Sequence, residues 1–181
     1  TALATVTGGD NLTSVGYRIF EHTPFYDDYE GDIVYLGNWI LGCKNQKISE
    51  NRDLTPLLRE GITGIADYAF YCQNDIKSFS IPSTVKYIGK EAFSSCISLK
   101  TLDIPSSVKE IGDNAFYECY NVTKLTIPKG VVSIGEKAFN RCLKLKSISL
   151  PSTVQYVGKE AFHDTAWYSK QASNKVIYAG K

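Results

Sequence analysis

The chain has 181 residues, of which 43% are hydrophobic, and a formal net charge of +1 from 20 basic and 19 acidic side chains. This size and apolar content suit one globular domain or one solenoid block, whereas the balanced charge argues against a nucleic-acid partner or electrostatic attachment to a membrane. No stretch of 18 apolar residues is present, so the sequence predicts no membrane insertion.

The N-terminal part lacks the regularity of the rest of the chain. Residues 1–10 are interpreted as a linker or a frayed first strand, and residues 1–22 as a partial repeat. The sequence contains no Met and starts at Thr1, so we expect a processed or excised piece of a longer protein.

Residues 23–58 are interpreted as an insert between repeats. Two apolar runs flank the pair Gly37-Asn38, and a two-residue Gly/Asn link between β-forming runs is typical of a hairpin. We therefore expect strands near 32–36 and 39–43. A polar stretch follows, and then a degenerate strand that ends near Leu58.

A period of 23 residues governs residues 59–165, which are interpreted as the repeat block. Each unit carries one Phe in the same phrase, as in VKYIGKEAF and VKEIGDNAF; these are Phe70, Phe93, Phe116, Phe139 and Phe162. A fixed period of this size is typical of stacked units. Because one unit cannot bury its apolar side alone, we expect a continuous core with parallel strands about 4.8 Å apart.

Each unit opens on an apolar pattern of the form LxxLxI, as in Leu99, Leu102 and Ile104, and a Pro follows that cannot continue a central strand. This pattern predicts one curved solenoid with a parallel sheet built from segments near 78–81, 101–104, 124–127 and 147–150. A second apolar pair and a Gly follow, which we interpret as a tight corner. The stretch that contains Ala and Phe predicts a short α- or 3₁₀-type turn on the outer side.

Three of the five cysteines keep the repeat spacing, at Cys96, Cys119 and Cys142. Residues that follow the period in this way behave as core side chains, and a free Cys is a small, readily buried hydrophobe. We expect these three thiols to be reduced, buried and stacked rather than in disulfides or a metal site. Cys43 and Cys72 lie outside this ladder and support no prediction.

The two ends of the chain match each other. VGYRIFEHTPFY, residues 15–26, aligns with VGKEAFHDTAWY, residues 157–168, and both Phe20/Phe162 and Thr23/Thr165 are 142 residues apart. Residues 166–181 are therefore interpreted as the start of a second insert-like segment.

The combined pattern LxxLxIPxxVxxIGxxAFxxC resembles BspA-like bacterial leucine-rich repeats over roughly residues 59–165. The resemblance implies a leucine-rich repeat solenoid with a parallel concave sheet. It also implies a non-enzymatic binding or adhesion module of a cell-surface or secreted protein, which contacts host, matrix or other cell-surface proteins. Two departures stand out. The slot that holds Asn in many leucine-rich repeats has Thr84, Ser107, Gly130 and Thr153, and Gln73 replaces the Cys of the first unit.

The sequence offers no set of residues for catalysis. GxSxG, Walker, GxGxxG and HExxH motifs are missing, and His22 and His163 are interpreted as exposed loop residues at opposite ends of the solenoid. We expect no enzyme activity and no catalytic, cofactor-binding or metal-binding residues.

The outward strand residues are the candidate ligand-binding site, because concave sheets commonly bind the ligands of solenoids. They form two columns, Ser78, Thr101, Lys124, Ser147 and Ser80, Asp103, Thr126, Ser149, with Lys77, Lys100, Thr123 and Lys146 beside them. We expect a protein or glycan ligand, and contact between Asp103 and Lys124. A second candidate is the column of Tyr87, Glu110, Ser133 and Tyr156.

Two other functions fit the same sequence. The chain could be a structural spacer without a ligand, or a glycan-binding accessory region of a larger carbohydrate-active enzyme. Because uncapped solenoid ends expose apolar surface, end-to-end self-association is a further expectation.

Overall fold

The computed structural model describes residues 12, 15–16, 19–20, 22–44, 52–53 and 58–173. These residues build a β-solenoid of about five coils, which confirms the predicted fold class. The N-terminal stretch 1–10 and most of the polar stretch after the hairpin lie outside the described residues, as do residues 174–181.

The N-terminal insert contains a short helix and the predicted hairpin. Helix α1 spans Pro24–Asp27, and strands β1, Ile33–Leu36, and β2, Trp39–Cys43, pair antiparallel. The turn between them places Gly37 at a φ of 52°, a left-handed conformation that Gly adopts without strain. Both strands begin and end within one residue of the predicted positions.

The solenoid coils contain two classes of strand. The first class comprises β5 Ile76–Ser80, β7 Thr101–Asp103, β9 Lys124–Thr126 and β11 Ser147–Ser149, which follow the LxxLxI pattern. It also includes β3 Arg52–Asp53, which pairs with β5 without that pattern and ends earlier than the degenerate strand predicted to end near Leu58. The second class has two residues per strand and comprises β4 Gly64–Ile65, β6 Tyr87–Ile88, β8 Glu110–Ile111, β10 Ser133–Ile134 and β12 Tyr156–Val157. Helix α2, Ala166–Ser173, follows the last coil.

The strands of the first class are parallel, as predicted, but they form two sheets rather than one. One sheet has the order β3-β5-β7 and the other pairs β9 with β11. The prediction of a single sheet is wrong at the step from β7 to β9, where no strand pairing is formed. The two coils stay joined there through inward side chains, since Leu102 and Leu125 belong to one core cluster.

The longest sheet was not predicted, because its strands occupy the positions interpreted as corners. It has seven strands in the order β1-β2-β4-β6-β8-β10-β12, parallel from β2 onwards. Two residues are too few to show the alternation by which strands are recognised in a sequence. Because β2 of the hairpin pairs with β4, the hairpin extends this sheet at its N-terminal edge.

The outer stretches are turns at the predicted places, but they are not helical. Asn114 and Glu118 both have positive φ, at 52° and 59°, and a pair of positive φ values with the same spacing recurs in the other coils. Alternate N–H groups bind the next coil instead of their own turn: Asn114 N donates to Glu136 O and Phe116 N donates to Ala138 O, each at 2.8 Å. Stacking between coils thus replaces the hydrogen bonds of a helix.

The Phe column forms the middle of the core, as predicted. Phe93, Phe116 and Phe139 are at most 1% exposed. Successive rings stack nearly parallel, with centroids 5.2 Å apart on both sides of Phe116. This distance is close to the spacing of paired strands, so the rings repeat at the same interval as the coils.

The cysteine ladder is confirmed. Cys96, Cys119 and Cys142 are free and fully buried, and each thiol donates to the carbonyl of a Phe in the preceding coil, at 3.1 to 3.3 Å. Burial raises the pKa of all three thiols, that of Cys142 to about 12.

These thiols predict a loss of stability at alkaline pH. A thiol of the unfolded chain ionises near its ordinary pKa of about 8.5, whereas the buried thiol stays protonated because its pKa is raised. The stabilisation is therefore complete below the unfolded pKa and declines as the pH rises towards the folded pKa. We expect each buried thiol to contribute a slope of about −1.4 kcal/mol per pH unit above about pH 9.

The thiol prediction is checked by urea unfolding of wild type and Cys142→Ala across this pH range. The variant should lose less stability per pH unit than wild type. Equal slopes would show that the thiol does not resist ionisation. Val131→Ala is the matched control, because it also truncates a fully buried side chain but removes no titratable group, and it should leave the slope unchanged.

The matched ends of the sequence adopt matching local structures. The Thr23 hydroxyl accepts from Tyr26 N at 3.4 Å, and the Thr165 hydroxyl accepts from Tyr168 N at 3.0 Å, at the starts of α1 and α2. An edge-on aromatic pair accompanies each cap, Phe20 with Phe25 and Phe162 with Trp167. The two ends, 142 residues apart, therefore match in local structure as well as in sequence.

Candidate binding surface

The candidate residues lie on one side of the first-class strands, a surface that we call the strand face. It consists of the two outward columns and the lysine-rich column beside them: Ser78, Thr101, Lys124, Ser147; Ser80, Asp103, Thr126, Ser149; and Lys77, Lys100, Thr123, Lys146. Of the two outward columns, Ser78 is half-buried and the other seven residues are exposed.

Strand alternation explains why these side chains face solvent. Between the outward residues of each strand lies one inward side chain, Phe79 in β5, Leu102 in β7 and Leu125 in β9, all buried. Neighbouring side chains on a strand point to opposite sides. Because these three point into the core, the residues on either side of each one point outward and lie on the strand face.

Parallel pairing brings the outward residues of neighbouring coils into register. In the first sheet Ser78 pairs with Thr101 and Ser80 with Asp103. In the second, Lys124 pairs with Ser147 and Thr126 with Ser149. The structure thus brings the predicted site residues together in two patches, one on each side of the step between β7 and β9.

The expected contact between Asp103 and Lys124 is not formed. Ion pairs among the described residues lie on the outer turns, as between Arg141 and Glu118, and none joins Asp103 to Lys124. Although β7 and β9 lie on neighbouring coils, they form no backbone ladder that would hold the two side chains in register. Both charges are therefore presented to solvent.

The strand face carries an excess of positive charge that the balanced composition hides. Its three columns contain four lysines, Lys77, Lys100, Lys124 and Lys146, and a single acidic residue, Asp103. Backbone bonds between coils align the lysine-rich column: Lys100 N donates to Lys77 O, and Lys146 N donates to Thr123 O, each at 3.0 Å.

The second candidate column also forms as expected, on the long sheet. Tyr87, Glu110, Ser133 and Tyr156 pair in register along β6, β8, β10 and β12. A groove of about 330 Å³ runs beside them. No pattern in the sequence pointed to Trp39, whose ring stacks on that of Tyr87 with centroids 6.2 Å apart.

A glycine makes room for the ring of Trp39. A side chain at Gly64 would lie 2.4 Å from the indole, so only Gly admits the ring at this position of the sheet. Trp39 is buried whereas Tyr156 is mostly exposed. At one end of the column the Trp39 ring is therefore part of the packing, whereas at the other end the Tyr156 ring faces solvent.

Outside the strand face and the Tyr87 column, the described residues offer few candidates for a functional site. The Nδ1 atom of His163 lies 3.1 Å from an Asp164 carboxylate oxygen on the last outer turn, and His22 is exposed. In the described part of the chain, no group of three or more His, Cys, Asp or Glu side chains is placed to hold a metal ion. None of the described helices is long and apolar enough to cross a membrane.

Stacked 23-residue coils, parallel strands and a continuous Phe core define a leucine-rich repeat protein. The family model for the BspA type leucine-rich repeat region matches residues 63–180 in six copies. The chain belongs to this family.

Solved structures with the same fold come from several bacteria. A leucine-rich repeat protein of T. pallidum is 29% identical with a TM-score of 0.63, over 70% of this chain and 58% of that one. A leucine-rich cell surface protein of Faecalibacterium prausnitzii is 29% identical with a TM-score of 0.56, over 91% of this chain and 38% of that one.

The pneumococcal vaccine antigen PcpA is 25% identical to this chain with a TM-score of 0.56, over 70% of this chain and 31% of that one. This chain thus matches 58% or less of the length of each of these three proteins. No curated protein matches the chain.

Proposed function

We propose that the chain is a non-enzymatic protein-binding module of a bacterial cell-surface or secreted protein, and that it binds through the strand face. The observation that carries this proposal is the register of exposed polar side chains across β5 and β7 and across β9 and β11. Such a surface has a fixed shape before any partner arrives, which lowers the entropy cost of binding.

The charge of the strand face favours an acidic partner. Four lysines against one aspartate attract a negatively charged protein surface and speed the encounter with it. Because exposed charges are screened by salt over about 8 Å at physiological ionic strength, binding to the strand face should weaken as salt is added. Host, matrix and other bacterial surface proteins are the partners that fit this role.

The relatives support the proposed location. One solved structure of the same fold is described as a cell surface protein and another as a vaccine antigen. A repeat module that serves as an adhesion surface would have to be accessible outside the cell, and this agrees with both descriptions.

An array of immobilised proteins and glycans, probed with the labelled chain, separates the proposal from its two alternatives. Binding to proteins supports the adhesion module, and binding to glycans alone supports the accessory region of a carbohydrate-active enzyme. Silence on both arrays favours the structural spacer. Repeating the screen at raised salt tests the role of the lysines.

Substitutions on the strand face predict where a captured partner binds. Thr101→Glu and Ser147→Glu add bulk and a negative charge to the middle of each patch and should weaken binding of an acidic partner at least tenfold by calorimetric titration, about 1.4 kcal/mol. Both residues are exposed, so unfolding should be unchanged. The matched control is Tyr156→Ala on the long sheet. Normal binding by both Glu variants, with loss in Tyr156→Ala, would move the site to the long sheet.

A further inference from the structure

The backbone ladder of the repeat strands is broken at one place, between β7 and β9. Just before β7, Lys100 N donates to Lys77 O, and just before β11, Lys146 N donates to Thr123 O, each at 3.0 Å. The matching bond from Thr123 N to Lys100 O is missing. In the described part of the chain, the Thr123 N–H therefore has no acceptor.

The break is confined to the strand side of the two coils. In the core, the rings of Phe116 and Phe139 are 5.2 Å apart, the same distance as between Phe93 and Phe116 one coil earlier. On the long sheet, β8 and β10 remain paired. The coils therefore keep their spacing, and only the first-class strands lack their hydrogen bonds.

A glycine lies in the coil that follows the break. Thr84 and Thr153 occupy one slot of other coils, and the hydroxyl of each donates to a carbonyl of the preceding coil. Gly130 fills this slot in the β9 coil and has no hydroxyl to form such a bond. The Ser106 carbonyl of the preceding coil occupies the space that a side chain at position 130 would need. The β7 and β9 coils are thus joined differently from the pairs linked by Thr.

Two exposed lysines lie beside the free N–H. Lys124 follows Thr123 directly, and Lys100 occupies the same slot as Thr123 on the preceding coil. Among the described residues, neither ammonium has an ion pair, and Asp103 lies at the opposite end of β7. We call the place formed by Lys100, Thr123 and Lys124 the seam. It combines an unpaired backbone donor with two unpaired cations.

We propose that the seam anchors the acidic partner of the strand face by binding an Asp or Glu carboxylate of that partner. This inference rests on the proposed function and assigns its central contact. One carboxylate oxygen accepts from Thr123 N, and the other pairs with the Lys124 ammonium, which Lys100 supports from the preceding coil. Because Thr123 is exposed, an acceptor on a second molecule can approach this N–H.

The number of donors favours a carboxylate over a sulfate or a phosphate. Sites built for those larger anions present several backbone N–H groups, as at a helix N-terminus or in a nest. At the seam only Thr123 N is free, since Lys100 N and Lys146 N at the matching positions are bonded. The seam therefore fits the acidic side chains of a protein better than a sulfated or phosphorylated glycan.

Titration of the labelled full-length chain with hexaglutamate, followed by NMR, tests the seam. We expect the amide signal of Thr123 to shift most, and hexaglutamine, the uncharged control, to cause no such shift. Thr123→Pro removes the N–H without changing the charge. It should weaken hexaglutamate binding about tenfold, as loss of a hydrogen bond to a charged group does. Thr123→Ala keeps the N–H and should weaken binding less than about twofold.

A matched pair of lysine substitutions tests the charge. Lys124→Met at the seam and Lys146→Met on the next coil each remove one exposed positive charge from the strand face. Diffuse attraction, which salt screens, responds to both changes alike. A carboxylate held at the seam makes Lys124→Met the more damaging of the two, by about threefold in affinity.

Two results would overturn the proposal. One is equal weakening by Lys124→Met and Lys146→Met without a shift of the Thr123 amide, which would show diffuse attraction. The other is tighter binding of a chondroitin sulfate oligosaccharide of matched charge than of hexaglutamate, which would show a sulfated ligand. If Thr123→Pro does not fold, as judged by circular dichroism, the Thr123 amide shift and the lysine pair decide.

The protein array separates a failure of the seam from a failure of the proposed function. A captured protein that binds wild type and Lys124→Met equally well, but loses affinity for Thr101→Glu, would refute the seam and support the strand face. A captured protein that also binds Thr101→Glu and Ser147→Glu normally would refute both.

Discussion

Replacing Phe116 with Ala is expected to lower the free energy of unfolding by about 3–5 kcal/mol. Phe116 is fully buried, and its ring stacks on Phe93 above and Phe139 below, each with a centroid distance of 5.2 Å. Removing the ring leaves a cavity that the coils cannot close, because hydrogen bonds to both neighbours fix their spacing. Urea unfolding followed by circular dichroism measures the loss.

Phe162→Ala provides the comparison at the end of the column. Phe162 stacks on a single repeat ring, Phe139, and is 7% exposed beside Trp167, so its loss should be the smaller of the two. A loss below about 1 kcal/mol for Phe116→Ala would contradict a stacked core, since large-to-small changes at buried Phe normally cost several times more.

Replacing Gly112 with Ala is expected to cost about 1–3 kcal/mol or more, as overpacking does. A side chain at this position would lie 2.7 Å from the backbone of Gly89 and Lys90 in the preceding coil. The N–H of Gly112 also donates to Ile88 O at 2.8 Å, so the two coils cannot separate to make room without stretching this bond. Thermal unfolding reports the cost.

The first coil supplies a natural control for Gly112→Ala. Ala66 occupies the same slot, and its N–H donates to Ile40 O at 2.8 Å, so its neighbour is the hairpin and not another coil. Its methyl packs beside Val15 and Trp39. Ala66→Gly should therefore lose only about 0.5–1 kcal/mol. A Gly112→Ala variant as stable as wild type would contradict close contact between coils.

The features that repeat in the sequence were predicted with good accuracy. The Phe column and the thiol ladder follow a strict period, and a residue kept at every period meets its own copies in the stack. The hairpin was found because Gly37-Asn38 is a local signal that needs no knowledge of the rest of the fold. The placement of Thr101 and Ser147 on one surface also followed, from alternation along each strand.

The features that depend on contacts between distant residues were missed. The long sheet is built from two-residue strands that show no alternation, and its continuity with the hairpin joins Ile40 to Ile65. The buried position of Trp39 could not be predicted from the sequence, because its ring occupies the space that a side chain at position 64 would fill, and position 64 is Gly. The step between β7 and β9 breaks a pattern that the sequence continues without change.

Mapping the bound surface by NMR tests the central claim most directly. Amide shifts of the chain are followed during titration with a protein captured on the array, and with an array protein that did not bind as the control. The account predicts that the largest changes fall on Ser78–Ser80, Thr101–Asp103, Lys124–Thr126 and Ser147–Ser149. Changes confined to Tyr87, Glu110, Ser133 and Tyr156 on the long sheet would contradict it.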